Sequence, residues 1–398
     1  MDKENWLLPN GYRYAGVHCG LRPDPNRRDL ALVVSDKPAT AAGVFTQNRV
    51  AAAPVQVCRE RLPSPDARGV VICSGNANAC TGQQGLEDAR RMAALSAKFI
   101  GCRPEQMLVA STGVIGHHLP MAKIEAGIRR AAEELRGGAE AFDHVAHAIL
   151  TTDTRIKMSS RAVRTAGGSY AMAGFAKGAA MIGPNMATML AFVLTDAPIG
   201  MEHLQSLACR AAAETFNCVS VEGHTSTNDT LLFLANGADS PLRGEDAASF
   251  DRAAVGVCGD LARAIAADAE GATHFVTIEV DGLRNHEEAH RIAKAVAESA
   301  LVKTALFGGD PNWGRIVSAA GYAGVPFDEE DLSLWLGELL LYKAGVPQPF
   351  DEGAASAYLK TNRAIHLGLS FSLGSGRCTF WTCDLTYDYV RLNADYTT

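Results

Sequence analysis

The sequence predicts an α+β protein whose strands and helices pack in layers. The chain has 398 residues, of which 47% are hydrophobic and 20% are charged, so it can bury a large core in two domains or lobes. Short apolar runs bounded by turn residues predict strands, and longer segments with apolar residues at helical spacing predict helices. Because the two kinds of segment do not alternate regularly, the pattern favours α+β layers over a parallel βαβ sheet.

The apolar pattern places these elements along the chain. Strands are predicted at 31–35, 69–74, 107–110, 170–175, 189–195, 231–236 and 276–280. Helices are predicted at 85–100, 120–135, 142–150, 201–217, 247–267 and 287–307. The stretches 321–326 and 345–353 are the most linker-like, because they are rich in Gly and Pro.

Composition excludes several classes of function. The net charge is −7 and no basic cluster is interleaved with aromatic residues, which argues against a nucleic-acid partner. The first residues are polar and no run approaches the roughly 20 apolar residues of a membrane helix, so we expect a cytoplasmic protein. The ten cysteines show neither a CxxC pair nor Cys-His ligand spacing, which predicts reduced thiols and no metal site.

One threonine is singled out by the sequence on either side of it. Pro184-Asn185 signals a turn, and the run 186–194 that follows has a single polar side chain, that of Thr188. A threonine at the mouth of a buried strand has two interpretations. It is either a β-branched residue that suits a strand, or a hydroxyl that takes part in chemistry.

Several short words in the sequence match one known family at family-like spacing. They are STGVIG at 111–116, TTDT at 151–154, KGAAMIGPNMATMLAF at 177–192, TSTNDT at 225–230, DPNWGR at 310–315 and CDLTYDYVRLNADYTT at 383–398. Further matching stretches lie at 30–36, 42–45 and 76–82, so the similarity covers nearly the whole chain. The sequence therefore resembles the ornithine acetyltransferase family of arginine biosynthesis.

The resemblance implies a self-cleaving N-terminal-nucleophile enzyme. Its fold would be a β-sheet sandwich flanked by helices, with a smaller second domain formed by about 280–398. The precursor would cut itself between Ala187 and Thr188, giving fragments 1–187 and 188–398. Since Thr188 precedes a predicted central strand, both fragments would share the main core and stay associated. The family also implies a heterotetramer of two copies of each fragment.

A new N-terminus at Thr188 would supply its own base. A threonine hydroxyl is a poor nucleophile until another group takes its proton. A free α-amine has a pKa of about 7.7 to 8.0, so a usable fraction is neutral near pH 7. No histidine is then required, and none of the histidines stands in a recognisable nucleophile-elbow motif.

An acyl-transfer site also needs donors for the oxyanion of the tetrahedral intermediate. The predicted strand 107–110 leads into the small residues 111–116, whose glycines allow close approach of a backbone N–H group. On the residues alone, an ordinary strand-to-helix turn is the favoured interpretation of this segment. The resemblance implies that Thr112, through its hydroxyl, and Gly113, through its backbone N–H, form the oxyanion pair.

The resemblance further implies a site for amino-acid substrates. Its members are Thr151, Lys177, Thr188, Glu270, Asn393 and the C-terminal Thr398. Lys177 would bind a carboxylate, and Glu270 would bind the ornithine ammonium. Without the family, Lys177 is equally a solvated turn lysine. The C-terminus is equally a frayed tail, although its tyrosines and leucine make it unusually apolar.

The implied reaction moves an acetyl group from N2-acetyl-L-ornithine to Thr188 and then to L-glutamate, without a cofactor. Some family members also accept acetyl-CoA as a substrate, and no word in this sequence separates the two kinds. Two rival classes stay open. An N-terminal-nucleophile aminopeptidase or amidohydrolase would pass the acyl group to water. An uncleaved binding protein would use Thr188 only as a strand residue.

A few positions depart from the family's pattern. Ala179-Ala180 stand where many members have Ser-Gly or Ala-Gly, His224 replaces a common Asp, and Gly309 replaces Arg or Ala. None is a predicted site residue, and we interpret them as variation within the family. Asn228 and Asp229 are expected to fix loops near the nucleophile. The segment 310–315 is expected to form a tight structural turn.

Overall fold

The fold is built from two β-sheets that are covered and separated by helices. The computed structural model describes residues 6–166, 168–183, 189–238 and 240–395. Three predicted site residues, Ala187, Thr188 and Thr398, therefore lie outside the described residues. In the described ranges, no helix combines the length and the apolar character that crossing a membrane requires.

The strands fall into two groups along the chain. The first group is β1 Tyr12–Val17, β2 Leu30–Phe45, β3 Ser64–Asn76, β4 Met107–Val114, β5 Lys157–Thr165, β6 Gly168–Lys177, β7 Leu190–Thr195 and β8 Thr230–Ala235. The second group is β9 Phe275–Leu283, β10 Ser333–Leu336, β11 Leu339–Lys343, β12 Val346–Pro347, β13 Ala364–Ser370 and β14 Gly376–Cys383. Each group forms one sheet.

Helices occupy most of the connections. They are α1 Ala53–Arg61, α2 Gly82–Ile100, α3 Met121–Glu133, α4 Ala139–Ala148, α5 Met201–Glu214, α6 Gly244–Ala267, α7 His286–Glu298, α8 Ala300–Gly308, α9 Trp313–Gly321, α10 Glu352–Thr361 and α11 Tyr387–Asp395. Several begin at a side chain that accepts a hydrogen bond from the first turn. Asn285 caps α7 in this way, Asn312 caps α9 and Asp351 caps α10.

The first sheet has the strand order β4-β3-β2-β8-β7-β6-β5, with β1 paired to β2. The pairs β3–β4 and β7–β8 are parallel, and the other pairs are antiparallel. In this order, β7 and β8 follow residue 188 in the chain but lie between β2 and β6, which precede it. Strands from both sides of the predicted cut therefore share one hydrogen-bonded sheet.

The central strand β7 is buried on both faces, which explains its uninterrupted apolar sequence. Successive side chains of a strand point to opposite faces of the sheet. Leu190, Phe192 and Leu194 pack into one core with helices α1 to α4. Ala191 and Val193 pack into a second core with helices α5 and α6 and the second sheet. The strand therefore separates the two main cores of the protein.

The second sheet has the order β12-β11-β10-β13-β9-β14, in which only β9 and β13 run parallel among the described strands. Helix α6 packs against β5 and β6 of the first sheet and against β14 of the second. Helix α7 covers β9 and β14. The second sheet begins at Phe275, close to the predicted lobe boundary near residue 280; the division into domains stays a prediction.

The predicted α+β class with layered sheets is confirmed, whereas two local predictions are wrong. The segment 287–307 is not one helix, because Ser299 adopts extended backbone and its hydroxyl caps α8 by accepting from Val302 N–H. The stretch 345–353 is not a linker, since it contains β12 and the start of α10. The glycine- and proline-rich composition of 345–353 reflects turns next to β12 in the second sheet, not a linker between domains.

The packing of β7 gives a stability prediction. Phe192 is fully buried and stacks on Phe175 with ring centroids 4.9 Å apart. We expect Phe192→Ala to lower the free energy of unfolding by about 3–5 kcal/mol, as measured by chemical denaturation, because it leaves a cavity beside the central strand. The matched control is Phe99→Ala on α2, where the ring is 40% exposed and the loss should be less than half as large. Equal losses would contradict a core centred on β7.

Candidate active site

One cleft, open to solvent and about 140 Å³ in volume, lies where loops from both sides of the predicted cut meet. Its lining residues are mostly small, apolar or hydroxyl-bearing, with one cation and one anion among them. They are Ala77, Thr112, Gly113, Ile115, Thr151, Thr152, Lys177, Ala180, Met181, Ser226, Thr227, Asn228, Glu270 and Asn393.

The cleft brings together the predicted site residues that the structure describes. Thr112, Gly113, Thr151, Lys177, Glu270 and Asn393 all line it. In the sequence, these residues span positions 112 to 393, so the fold alone places them side by side. Ala180, one of the departures from the family's pattern, also belongs to the wall, and His224 lies outside it with an exposed side chain.

Thr112 and Gly113 lie at the end of β4 rather than in a loop, so the predicted loop position is wrong. The parallel pairing with β3 sets Gly75 opposite Gly113 and Ser74 opposite Thr112. Gly113 has φ +134°, and a Cβ atom there would lie 2.3 Å from the carbonyl carbon of Gly75. Only glycine fits this approach without a shift of the backbone.

Asn228 ties the end of β4 to the loop before β8. Its side-chain amide donates to the carbonyl oxygen of Ala77 at 2.6 Å and to that of Ser111 at 2.8 Å. Asn228 is 5% exposed, so these hydrogen bonds are shielded from solvent water. They fix the backbone that precedes Thr112.

Lys177 supplies a buried cation at the end of β6. It pairs with Leu190, the first residue of β7, and only 3% of the residue is exposed. Among the described residues its ammonium group has no hydrogen-bond partner. Burial lowers the pKa of Lys177, whereas the nearby Asp153 carboxylate raises it. A cation in this position is available to a carboxylate in the cleft.

Glu270 and Asn393 form a more exposed wall. The Glu270 backbone N–H donates to the carbonyl oxygen of Ala179 at 2.8 Å, and the Asn393 side-chain amide donates to Glu270 Oε2 at 3.1 Å. Gly271 allows α11 to approach, because a Cβ atom there would lie 2.5 Å from the backbone nitrogen of Tyr389. Helix α11 thereby brings Asn393 to the cleft.

Asp229 is a buried carboxyl next to the start of β7. It is fully buried, and its Oδ1 accepts from the backbone N–H of Met189 at 3.2 Å. Its other oxygen has no hydrogen-bond partner in the part of the chain that the structure describes. Burial raises the pKa of Asp229 well above the ordinary value, against the opposing effects of the Met189 N–H and Lys177.

Glu222 is a second, half-buried carboxyl, beside the segment that leads to the predicted cut. It accepts a hydrogen bond from the backbone N–H of Ile182, and its Oε2 has no partner within the described ranges. Burial raises its pKa to about 7. The segment is held closely, since a Cβ atom on Gly183 would lie 2.4 Å from the carbonyl carbon of Gly223.

Comparison with known proteins identifies the family. The model of the ArgJ family matches residues 13–398, nearly the whole chain. The chain belongs to the ArgJ family. The arginine biosynthesis bifunctional protein ArgJ of Rhodopirellula baltica is 44% identical over 400 residues, which cover 98% of this chain and 97% of that protein. The protein of the same name from Geobacter sulfurreducens is 45% identical over 392 residues, covering 98% and 99% of the two chains.

A solved structure of an ArgJ protein is also similar. The crystal structure of the arginine biosynthesis bifunctional protein ArgJ from Bacillus halodurans has 43% sequence identity and a TM-score of 0.50. The match covers 52% of this chain and 98% of that chain. The predicted relationship to the acetyltransferases of arginine biosynthesis is thus confirmed at the level of the family. The roles of individual residues stay predictions.

Reasoning from the sequence missed a buried ionic cluster behind the cleft of this ArgJ-family chain. Lys157 forms ion pairs with Asp153 and Asp268, and its side chain is 1% exposed. Asp153 and Asp268 each lie two residues from a site residue that the resemblance selected, Thr151 and Glu270, but Lys157 lies near none. The sequence analysis assigned no ionic role to any of the three.

The titration of Glu222 gives a pH prediction. Its pKa is about 7 in the folded protein against an ordinary value of 4.5, so unfolding releases a proton between these values. Stability therefore falls as the pH rises through this window. We expect Glu222→Gln, which stays neutral, to gain roughly 2–3 kcal/mol of stability relative to wild type at pH 8 but little at pH 4.5.

Thermal unfolding of both proteins across this pH range measures the difference. The control is Glu87→Gln, on the exposed face of α2, for which the difference from wild type should not change with pH. A constant difference for Glu222→Gln as well would show that its carboxyl is not the group that titrates.

Proposed function

We propose that this chain is a self-cleaving acetyltransferase that transfers the acetyl group of N2-acetyl-L-ornithine to L-glutamate through an acetyl-Thr188 intermediate. The observation that carries the proposal is the cleft itself. The buried Lys177, the Glu270 carboxylate and Gly113 at the end of β4 all line it. The names of the relatives support the same pathway, since they are arginine biosynthesis proteins.

The charges of the cleft suit amino-acid substrates. N-acetylornithine carries an α-carboxylate and a side-chain ammonium, and Lys177 and Glu270 have the complementary signs. Glutamate carries carboxylates that Lys177 can also bind. Charge-assisted hydrogen bonds of this kind give both affinity and orientation. Thr151, whose backbone N–H is held by Asp153 at 2.9 Å, adds a hydroxyl to the same wall.

The reaction proceeds in two halves. The hydroxyl oxygen of Thr188 attacks the acetyl carbonyl of N-acetylornithine, and the α-amine of the same residue takes the proton. The Thr112 hydroxyl and the Gly113 N–H stabilise the oxyanion, and each such donor contributes about 3–4 kcal/mol to lowering the barrier. Ornithine leaves with the proton, and the amine of glutamate then attacks the threonine ester, giving N-acetylglutamate and the free hydroxyl.

Two observations support the cut before Thr188. Strands on both sides of the junction share the first sheet, so both fragments would stay in one fold. The Bacillus halodurans chain is 98% covered by a match to 52% of this chain, so it has about half the present length. A cut near the middle of a precursor is expected to give chains of about half its length, as this one is.

Further features of the proposal are not decided by the cleft. The relatives are named bifunctional, which favours acetyl-CoA as a second acetyl donor. The reaction chemistry calls for no cofactor. A cytoplasmic location and a heterotetramer of two copies of each fragment stay predictions.

The first experiment is an acetyl-transfer assay. Purified protein is incubated with N-acetylornithine labelled in the acetyl group, with and without glutamate, and the labelled products are separated. We expect N-acetylglutamate to form only with glutamate. Release of acetate as the main product would favour the amidohydrolase alternative, and unchanged substrate would contradict both. A parallel reaction with acetyl-CoA and glutamate tests the second activity.

Substitutions of Thr188 test the nucleophile. We expect Thr188→Ala to stay a single chain and to lose transfer activity by a factor of 10³ or more, because no hydroxyl is present to attack either carbonyl. Thr188→Ser, which keeps a hydroxyl, is the matched control and should be cut and retain activity. Intact mass and N-terminal sequencing identify the fragments. A cut or active Thr188→Ala protein would refute the assignment.

The cut itself needs a base other than the α-amine, because in the precursor that nitrogen is an amide. Asp229 contacts the backbone N–H of the residue after Thr188 and has one oxygen without a described partner. We expect Asp229→Asn to slow self-cleavage at least 10-fold, since an amide still accepts from Met189 N–H but cannot take a proton. Asp88→Asn, a buried carboxyl on α2 outside the cleft, is the control. Equal cleavage rates on a denaturing gel would exclude Asp229 as the base.

A further inference from the structure

A cluster of buried charges lies directly behind the cleft. Lys157 Nζ is 2.7 Å from Asp153 Oδ1 and 2.6 Å from Asp268 Oδ2. The side chains of Lys157 and Asp153 are 1% and 0% exposed, and that of Asp268 is 7% exposed. One ammonium between two carboxylates leaves the cluster one positive charge short of neutrality.

Lys177 is the cation that completes this balance. It is buried at the end of β6 and acts on Asp153 electrostatically. Although burial opposes ionisation, Lys177 and Lys157 together hold the pKa of Asp153 well below its usual range. The two lysines and two carboxylates therefore form a neutral set when Lys177 is protonated.

The same carboxylates hold the backbone that carries the cleft residues. Asp153 Oδ1 accepts from the N–H of Gly178 at 2.6 Å, and its Oδ2 accepts from the N–H of Thr151 at 2.9 Å. Gly178 follows Lys177 directly, and Thr151 lines the cleft. Asp268 accepts from the N–H of Thr154 at 3.0 Å and lies two residues before Glu270.

Stability does not account for such a cluster. Removing charges from water costs several kcal/mol per ion, and an apolar set of similar volume is often as stable. Buried charges behind a cleft, by contrast, can set the protonation state of the side chain that contacts the ligand.

We propose that Asp153 is a positioning residue that keeps Lys177 protonated for the α-carboxylate of the amino-acid substrate, and that the positive charge of Lys157 opposes this effect. The inference rests on the proposed function, because it takes Lys177 as the carboxylate-binding group. Asp153 acts through Lys177 and through the N–H groups that it holds, and it does not line the cleft itself.

The groups that act on Lys177 have opposite signs. Burial lowers its pKa most strongly, Asp153 raises it, Lys157 and Arg22 lower it, and Asp229 raises it. Removing Asp153 should therefore let Lys177 lose its proton at lower pH. Removing Lys157 should let it keep the proton to higher pH.

The test is the pH profile of kcat/KM for N-acetylornithine, which reports the first half-reaction. The fall of kcat/KM at high pH, the basic limb, should be absent from Lys177→Met. Its absence would assign this limb to the loss of the Lys177 proton. In Asp153→Asn the limb should move to lower pH by one unit or more, with KM at pH 8 raised at least 10-fold and kcat changed less. In Lys157→Met the limb should move to higher pH.

The matched control is Asp268→Asn, the same chemical change at the other carboxylate of the cluster, which is not among the groups that act most strongly on Lys177. It should lose comparable thermal stability, yet move the limb much less than Asp153→Asn does. Opposite shifts for Asp153→Asn and Lys157→Met cannot come from general loosening of the cluster. If Asp153→Asn does not fold, the upward shift in Lys157→Met decides the question alone.

The outcomes separate the two proposals. Shifts of the same sign in all variants, or no shift in proteins that are folded and cut, would overturn the role of Asp153. A wild-type protein that transfers no acetyl group, or a Lys177→Met variant with an unchanged KM, would instead overturn the proposed function.

Discussion

The burial of β7 on both faces is the constraint on which the rest of the structure depends. The strand lies between β6 and β8, and hydrogen bonds on both sides fix its register. That register places Lys177, Leu190 and Thr230 side by side at one end of three adjacent strands. Asp229 and Met189 then meet directly before the strands begin. A buried strand cannot slip by one residue without turning its apolar side chains to the wrong core.

The cleft is electrostatically asymmetric. At one end, Lys177 is buried and backed by Asp153, Lys157 and Asp268, so its field is little screened by water. At the other end, Glu270 is only half-buried and Asn393 is exposed on α11. This arrangement suits a ligand whose carboxylate enters first and whose ammonium stays close to solvent. In the proposed reaction, the side chain of ornithine would then extend toward solvent without burying a second full charge.

The sequence predicted the elements whose signal is local. The run at 189–194 is apolar without interruption, and a strand buried on both faces is its simplest explanation. The helix predicted at 287–307 failed because Ser299 interrupts the backbone but not the apolar spacing. The strands β10 to β14 went unpredicted. Strands β10 to β12 are short and partly exposed, and the pairing of β13 and β14 with β9 brings together distant segments.

The site shows the same limit. The resemblance selected Thr112, Gly113, Lys177 and Glu270, and the fold brings them to one cleft. Gly113 was expected in a loop, because the small residues after 110 hide the continuation of β4. Lys157 could not be found at all, since its second partner, Asp268, is 111 residues away. Contacts of this kind exist only after the sheet and α6 have packed together.

The interleaving of the first sheet also constrains the order of events in biogenesis. A polypeptide ending before residue 188 would expose the free edges of β2 and β6, and its counterpart would expose both sides of the β7–β8 pair. Unpaired strand edges invite aggregation. The proposed cut would therefore leave no strand edge unpaired only if it followed folding. Under the proposed cut, the protein would be a nicked molecule whose separated fragments expose unpaired strands, so its lifetime would depend on how slowly the fragments come apart.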